Sequence, residues 1–166
     1  LKKILGSTAR DIQHVGSTSI LSIKAKPIID IAIAVDDFND ILAFEKELND
    51  DGFYYRPNAQ AFLRDQLLFA CGSYYEGTGD LQTHFIHVVL TNSIDWINYI
   101  NFRDYLNSTP SIAKEYEDLK ESLANKAAFD NGREKYTQGK HDFIVCTLKK
   151  ALEDLSSEKQ SKSSCI

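Results

Sequence analysis

The chain has no excess of positive charge: 19 Lys and Arg stand against 24 Asp and Glu, a formal net charge of -5. Proteins that neutralise nucleic-acid phosphates carry a basic stripe, and none is present, which sets aside a general nucleic-acid binder. No segment reaches the roughly 18 continuous apolar residues that a membrane helix needs. None of the opening residues reads as a secretory signal, so no membrane partner is expected. Cysteine is sparse. Cys71, Cys146 and Cys165 are odd in number and lack metal-ligand spacing, the pattern of reduced thiols in a cytoplasmic protein. Cys165 stands next to last and so does not form a prenylation box. Cys71 beside Gly72 reads as a small buried hydrophobe rather than a nucleophile. Leu1, already in helix-like sequence, is expected to continue a longer N-terminus.

What is present suits one domain. The 166 residues are 43% hydrophobic and 26% charged, enough to bury a real core. That domain is expected over residues 1–155, followed by a polar, low-complexity tail, SSEKQSKSSCI, disordered over 156–166. The most informative stretch runs from His14 to Val35. It opens on a Gly-Ser turn, continues through the hydroxyl cluster Ser17, Thr18 and Ser19, and passes Lys24 and Lys26 before Pro27. It ends in IIDIAIAV, which reads as a strand buried on both faces. Asp30 interrupts that apolar run. A carboxylate inside such a strand is costly unless it lies at an edge, is paired, or holds a metal.

Elsewhere the periodicities are plain. Lys2 to Thr8 ends a helix near Gly6, and Arg10 to Val15 alternates as a half-buried strand. Asp36 or Asp37 caps a helix with Phe38, Ile41, Leu42, Phe44 and Leu48 on its apolar side, and Gly52 stops it. Phe53–Arg56 is a short strand ended by Pro57. The ends of Ala61–Ala70 favour strand, Gly72–Asp80 a Gly-rich hairpin tip, and Thr83–Leu90 a β-branched, aromatic strand. From Ser93 the chain turns helical, first to Asn107. Thr109-Pro110 then starts a second helix reaching about Ala128, with Ile112, Tyr116, Leu119 and Leu123 in a stripe. After Asn131-Gly132 a last helix spans about Thr137 to Leu155. Strands first and helices after make an α+β domain.

His14-Val-Gly-Ser-Thr-Ser-Ile, followed by Lys26-Pro-Ile-Ile-Asp-Ile, resembles the signature of the GrpB family, the UPF0157 group of the nucleotidyltransferase superfamily. The likeness continues through His84-Phe-Ile-His87-Val-Val, Phe102-Arg-Asp-Tyr-Leu, Tyr136-Thr-Gln-Gly-Lys140 and Phe143-Ile144. It implies a nucleotidyltransferase-like mixed β-sheet flanked by helices with a C-terminal helical section, in a cytosolic protein sometimes fused to a coenzyme A biosynthesis kinase. In the wider superfamily a Gly-Ser turn precedes a strand with two acids in an Asp-x-Asp arrangement, and a later strand adds a third. Turn amides and a hydroxyl cradle the triphosphate. Two acids spaced by two share one strand face and hold Mg²⁺. The third acid takes the proton of the attacking hydroxyl.

This chain keeps Gly16, Ser17 and Asp30, but Ala32 stands where the second acid belongs. The later strand offers His84 and His87 instead of a carboxylate. The turn residues Gly16, Ser17, Thr18 and Ser19 are therefore candidates for binding a nucleotide or other phosphoester, and His14, Lys26 and Arg64 join them by their positions in the sequence. Asp30 and His87 are assigned to catalysis and to a divalent metal, Mg or Mn. Each role has a plainer counterpart: a turn capped by its own hydroxyls, a structural His14, a solvated Lys26, an ion-paired Arg64, a buried Asp30 capping nearby amides. His84 and His87 are three apart and point to opposite strand faces, so one of them, His87, is expected at the site. Lys140 is a further candidate for a phosphate. Three readings remain open: metal-dependent nucleotidyl transfer to an unknown acceptor, a non-catalytic binding module, and an adaptor whose last helices meet a partner.

Overall fold

The computed structural model describes residues 1–57, 65–72, 82–127 and 133–163. They form two compact units, Leu1–Ile100 and Asn101–Ile166.

In the first unit the order is α1 (Lys2–Leu5), β1 (Asp11–Val15), a 3₁₀ turn (Ser17–Ser19), β2 (Ile29–Val35), α2 (Phe38–Leu42), α3 (Glu45–Asp50), β3 (Phe53–Tyr55), β4 (Gln66–Cys71) and β5 (His84–Leu90). The five strands make one mixed sheet in the order β1-β2-β5-β4-β3, with β2 parallel to β5 and the other neighbours antiparallel. The α+β class expected from the strand and helix pattern is the class observed.

The sequence of β2 explains how this sheet is covered. Ile29, Ile31, Ile33 and Val35 alternate with Asp30, Ala32 and Ala34, so large β-branched side chains fall on one face and an acid and two small residues on the other. The large face is the core: Ile33, Val35, Leu67, Phe69, Ile86 and Val88 pack with Leu5 of α1, Ile41 of α2 and Leu48 of α3. Burial on both strand faces, expected from the apolar run, holds for Ala32 through Val35. Ile29 is exposed and Asp30 and Ile31 are half-buried. The start of β2 is thus only partly covered, with Ile29 exposed on one face and Asp30 half-buried on the other.

One helix of this unit differs from the expectation. The helix after β2 is two short ones, broken at Phe44, whose φ of -99° and ψ of 12° lie between helix and strand. Ile41 and Leu48 are nevertheless both buried. Asp37 is the cap that forms, its carboxylate accepting from the Asn39 amide at 2.8 Å, while Asp36 pairs with Arg10 instead. The Ala61–Arg64 part of the ambiguous segment and most of the expected hairpin tip lie outside the described residues.

α4 (Ile94–Ser108) begins in the first unit and ends in the second, which continues with α5 (Pro110–Ala127) and α6 (Arg133–Ser163). In that unit Phe102 meets Tyr116 edge-to-face with centroids 5.3 Å apart, and Tyr116 stacks on Phe143 at 5.2 Å. Glu117 and Lys120 are buried on α5, Glu117 taking a 2.7 Å bond from Lys114 and the Lys120 ammonium lying 4.9 Å from the Tyr116 ring centroid. At Gly139 α6 packs closely on α5: a Cβ there would stand 2.8 Å from a methyl of Leu123. α6 starts before Thr137 and passes Leu155 to Ser163, into the segment expected as a disordered tail. Glu, Lys and Gln, frequent at both ends, are good helix formers. Among the described residues no helix is long and apolar enough to cross a membrane.

Candidate functional site

The turn after β1 is built around a conformation only glycine adopts freely. Gly16 has φ 68° and ψ -169°, a region essentially closed to residues with a Cβ. Its carbonyl accepts from the Ser19 amide at 3.2 Å and the Ser19 hydroxyl at 2.7 Å. Thr18 donates to the Ile28 carbonyl at 3.3 Å, tying the turn to the start of β2, and its oxygen lies 2.9 Å from His14 Nε2. The hydroxyls of Thr18 and Ser19 therefore brace the turn itself. Ser17 is half-buried.

The register then sets Asp30 against this turn. β1 ends at Val15 opposite Asp30, so the following residue, Gly16, runs directly past the Asp30 side chain. A Cβ on Gly16 would stand 2.8 Å from both Cβ and Cγ of Asp30, closer than real side chains approach. His14 pairs with Ile31, which by strand alternation places it on the face opposite Asp30, and it is exposed. Lys26 is exposed in the segment leading to β2, Arg64 lies outside the described residues, and Lys140 belongs to the second unit.

His87 does reach Asp30. In the parallel pairing His87 sits opposite Ala32, two residues from Asp30 on the same face, and its Nε2 lies 3.6 Å from Asp30 Oδ1. His84, as its parity requires, points to the other face and meets Thr83, its Nδ1 2.9 Å from the hydroxyl. The imidazole of His87 is held on its far side. Nδ1 is 3.2 Å from Gln66 Oε1, the same oxygen accepts from the Tyr99 hydroxyl at 2.9 Å, and the His87 and Tyr99 rings lie 5.3 Å apart. Burial pushes the Tyr99 phenol well above its ordinary range, and the negative charges of Asp95 and Asp30 add to this. Asp95, one helical turn earlier, is itself raised by burial and by Asp65.

Gln66 and Tyr99 were not singled out from the sequence. Gln66 had a signal like that of Asp30, a polar residue opening the otherwise apolar strand QLLFAC, and it is buried. Tyr99 had none: it is one aromatic among several on α4, and only the fold brings it onto the sheet. The assembled group is one carboxylate, one imidazole, one amide and one phenol beside a tight glycine turn. Among the described residues no cluster of three or more His, Cys, Asp or Glu side chains could hold an ion. The pair would supply two ligands, one oxygen and one nitrogen.

An α+β protein with a half-buried polar cluster at the start of a central strand of a mixed sheet is the class these features define. The family model described as "GrpB protein" matches residues 1–150, and the chain belongs to that family. It is 39% identical over 145 residues to the glutamate-rich protein GrpB of Alkalihalophilus pseudofirmus, covering 87% of this chain and 80% of that one. It is 33% identical to a UPF0157 protein of Bacillus subtilis, covering 87% of this chain but only 39% of the relative's length. A crystal structure of the conserved protein GrpB from Enterococcus faecalis superposes with a TM-score of 0.76 at 28% identity, over 93% of this chain and 87% of that one.

Proposed function

We propose that this GrpB-family chain binds a nucleotide or another phosphoester-bearing small molecule at the start of β2, against the Gly16–Ser19 turn. Asp30 and His87 hold a divalent cation, Mg²⁺ or Mn²⁺, beside it. The observation that carries this reading is the contact set around Asp30, pressed against Gly16 on one side and 3.6 Å from His87 Nε2 on the other. A half-buried carboxylate in that position would repel a phosphate, so an anionic ligand needs a cation between them. Two protein ligands leave further positions for water and phosphate oxygen. Transfer of a nucleotidyl group to a hydroxyl acceptor is the reaction that the resemblance to the nucleotidyltransferase superfamily suggests.

A second reading, binding without turnover, is favoured by Ala32. It is fully buried and directly opposite His87, so the second acid of a two-metal site is absent and its place is packed.

Thermal unfolding against nucleoside triphosphates and coenzyme A precursors, with and without Mg²⁺, Mn²⁺ or Zn²⁺, tests both. A ligand at about 100 times its dissociation constant adds roughly 2.7 kcal/mol. Stabilisation requiring ligand and cation together, and lost in Asp30→Asn and His87→Gln, supports the first reading. Stabilisation by ligand alone supports the second. No stabilisation by any combination refutes both.

A further inference from the structure

Gln66 opens β4 as a polar side chain in an otherwise apolar strand, and it is only 9% exposed. Its side-chain oxygen is fully used: Oε1 accepts from the Tyr99 hydroxyl at 2.9 Å and lies 3.2 Å from His87 Nδ1. The amide nitrogen carries two further donors. Among the described residues neither of them meets an acceptor. A buried donor left unmade is costly, and in native proteins it usually marks a bound water or a ligand. Turning the amide over does not remove the cost. The nitrogen would then face Tyr99, whose phenol proton has no other acceptor among the described residues, and proton and carbonyl oxygen would be stranded together. Tyr99 therefore fixes the amide with its nitrogen turned away from the phenol.

We infer that Gln66 is a ligand-binding residue whose amide nitrogen donates to a carbonyl oxygen or bare ring nitrogen of a nucleobase, so that the ligand is a nucleotide rather than a smaller phosphoester, with Tyr99 as the positioning residue that aims the amide. The inference rests on the phosphoester reading of the Gly16–Ser19 turn and Asp30, and it narrows the ligand. Position argues the same way. Asp30 lies on β2 and Gln66 on β4 with β5 between them, so they stand two strand spacings apart, roughly 10 Å across the sheet. His87 bridges the interval, its Nε2 3.6 Å from Asp30 and its Nδ1 3.2 Å from Gln66. A single phosphate group at the turn is too small to reach the amide. A nucleotide, with a sugar between phosphate and base, covers such a distance, and every base carries a suitable acceptor. Asp30 and His87 are half-buried and Gln66 is buried, so the amide stands at the inner end of this line. There a hydrogen bond is strong, and a ligand lacking its partner is rejected.

Calorimetry with ATP, GTP, CTP and UTP, compared with inorganic tripolyphosphate and each with Mg²⁺, tests this, while ¹H–¹⁵N NMR follows the Gln66 side-chain amide. In the wild type at least one nucleoside triphosphate is expected to bind more tightly than tripolyphosphate and to shift the Gln66 amide signals, which tripolyphosphate leaves in place. Gln66→Met, of similar volume, should weaken that nucleotide about 10-fold and tripolyphosphate not at all. Gln66→Glu keeps an acceptor for Tyr99 but has no N–H, and should lose at least as much. Tyr99→Phe frees the amide to turn and should lose less than Gln66→Met, again for the nucleotide alone. Equal losses for both probes in Gln66→Met, or no loss for either, overturn the assignment. So does a Gln66 amide signal that no bound nucleotide moves, the mark of a donor occupied by a fixed water. Both probes binding the wild type with equal affinity overturns this inference and leaves the phosphoester reading standing, whereas neither probe binding overturns both.

Discussion

The Asp30 carboxyl group occupies the space that a side chain on Gly16 would need, with Asp30 Cβ and Cγ both 2.8 Å from the position of the missing Cβ. Gly16 thus answers two demands at once, a backbone conformation closed to other residues and a close approach to the one acid in β2. Gly16→Ala is expected to destabilise the first unit by about 1–3 kcal/mol from the backbone alone, with the clash in addition. Asp30→Ala in the same chain should recover the clash but not the backbone part. Denaturant unfolding of the two single variants and the double variant measures that coupling, and strict additivity would refute the contact.

Arg10, just before β1, pairs with Asp36, just after β2. Arg10 donates to Asp36 at 2.8 Å, and Thr91 donates to the other carboxylate oxygen at 3.0 Å. The hydrogen bond from Arg10, then that from Thr91, holds the Asp36 carboxyl below its ordinary value of 3.8. A depressed carboxylate contributes stability that is present above the unfolded-state value and lost as pH falls through the folded one. Melting temperature between pH 6 and pH 2 should therefore fall more steeply in the wild type than in Asp36→Asn. Parallel curves would show that the pair contributes nothing measurable, as many exposed pairs do.

Tyr99 is expected to act at the opposite end of the pH scale. Its phenol is raised above the ordinary value of 10, so the folded state holds its proton where the unfolded chain releases it. The contribution is complete below about pH 10 and declines as pH rises beyond it. Tyr99→Phe loses the bond to Gln66, a cost of about 1 kcal/mol near neutrality. Its deficit relative to wild type should shrink as pH is raised past 10. A deficit that stays constant in alkaline denaturation experiments would contradict the buried phenol.

In the second unit the test position is Gly139. A glycine inside a helix costs about 1 kcal/mol relative to alanine, and here it admits Leu123 of α5 against the α6 backbone. Gly139→Leu should destabilise by about 1–3 kcal/mol through overpacking, despite its better helix propensity. Gly139→Ala should be nearly neutral, because the clash is with the movable end of a leucine. Far-UV circular dichroism melts of the two variants decide it, and a stabilised Gly139→Leu would show that the helices do not meet there.

Much of this protein follows from local pattern. Alternation and β-branching place β1, β2 and β5, Thr109-Pro110 starts α5, and the Gly-Ser turn before an acid-bearing strand marks the site, because each of these is governed by neighbours within a few residues. The parity of His84 and His87 already separated them onto two faces, since side-chain direction alternates residue by residue in any strand. The sequence could not supply what depends on strand order. Only the parallel pairing of β2 with β5 puts His87 beside Asp30, and only the placement of β4 next to β5 puts Gln66 behind the imidazole. Tyr99 enters by the path of α4 over the sheet, which no periodicity encodes. Likewise the Ile and Val residues of β2 were apolar in any reading, but the packing of α1, α2 and α3 against them decided which face became core. The opposite face carries Asp30 and His87 beside the buried Ala32 and Ala34.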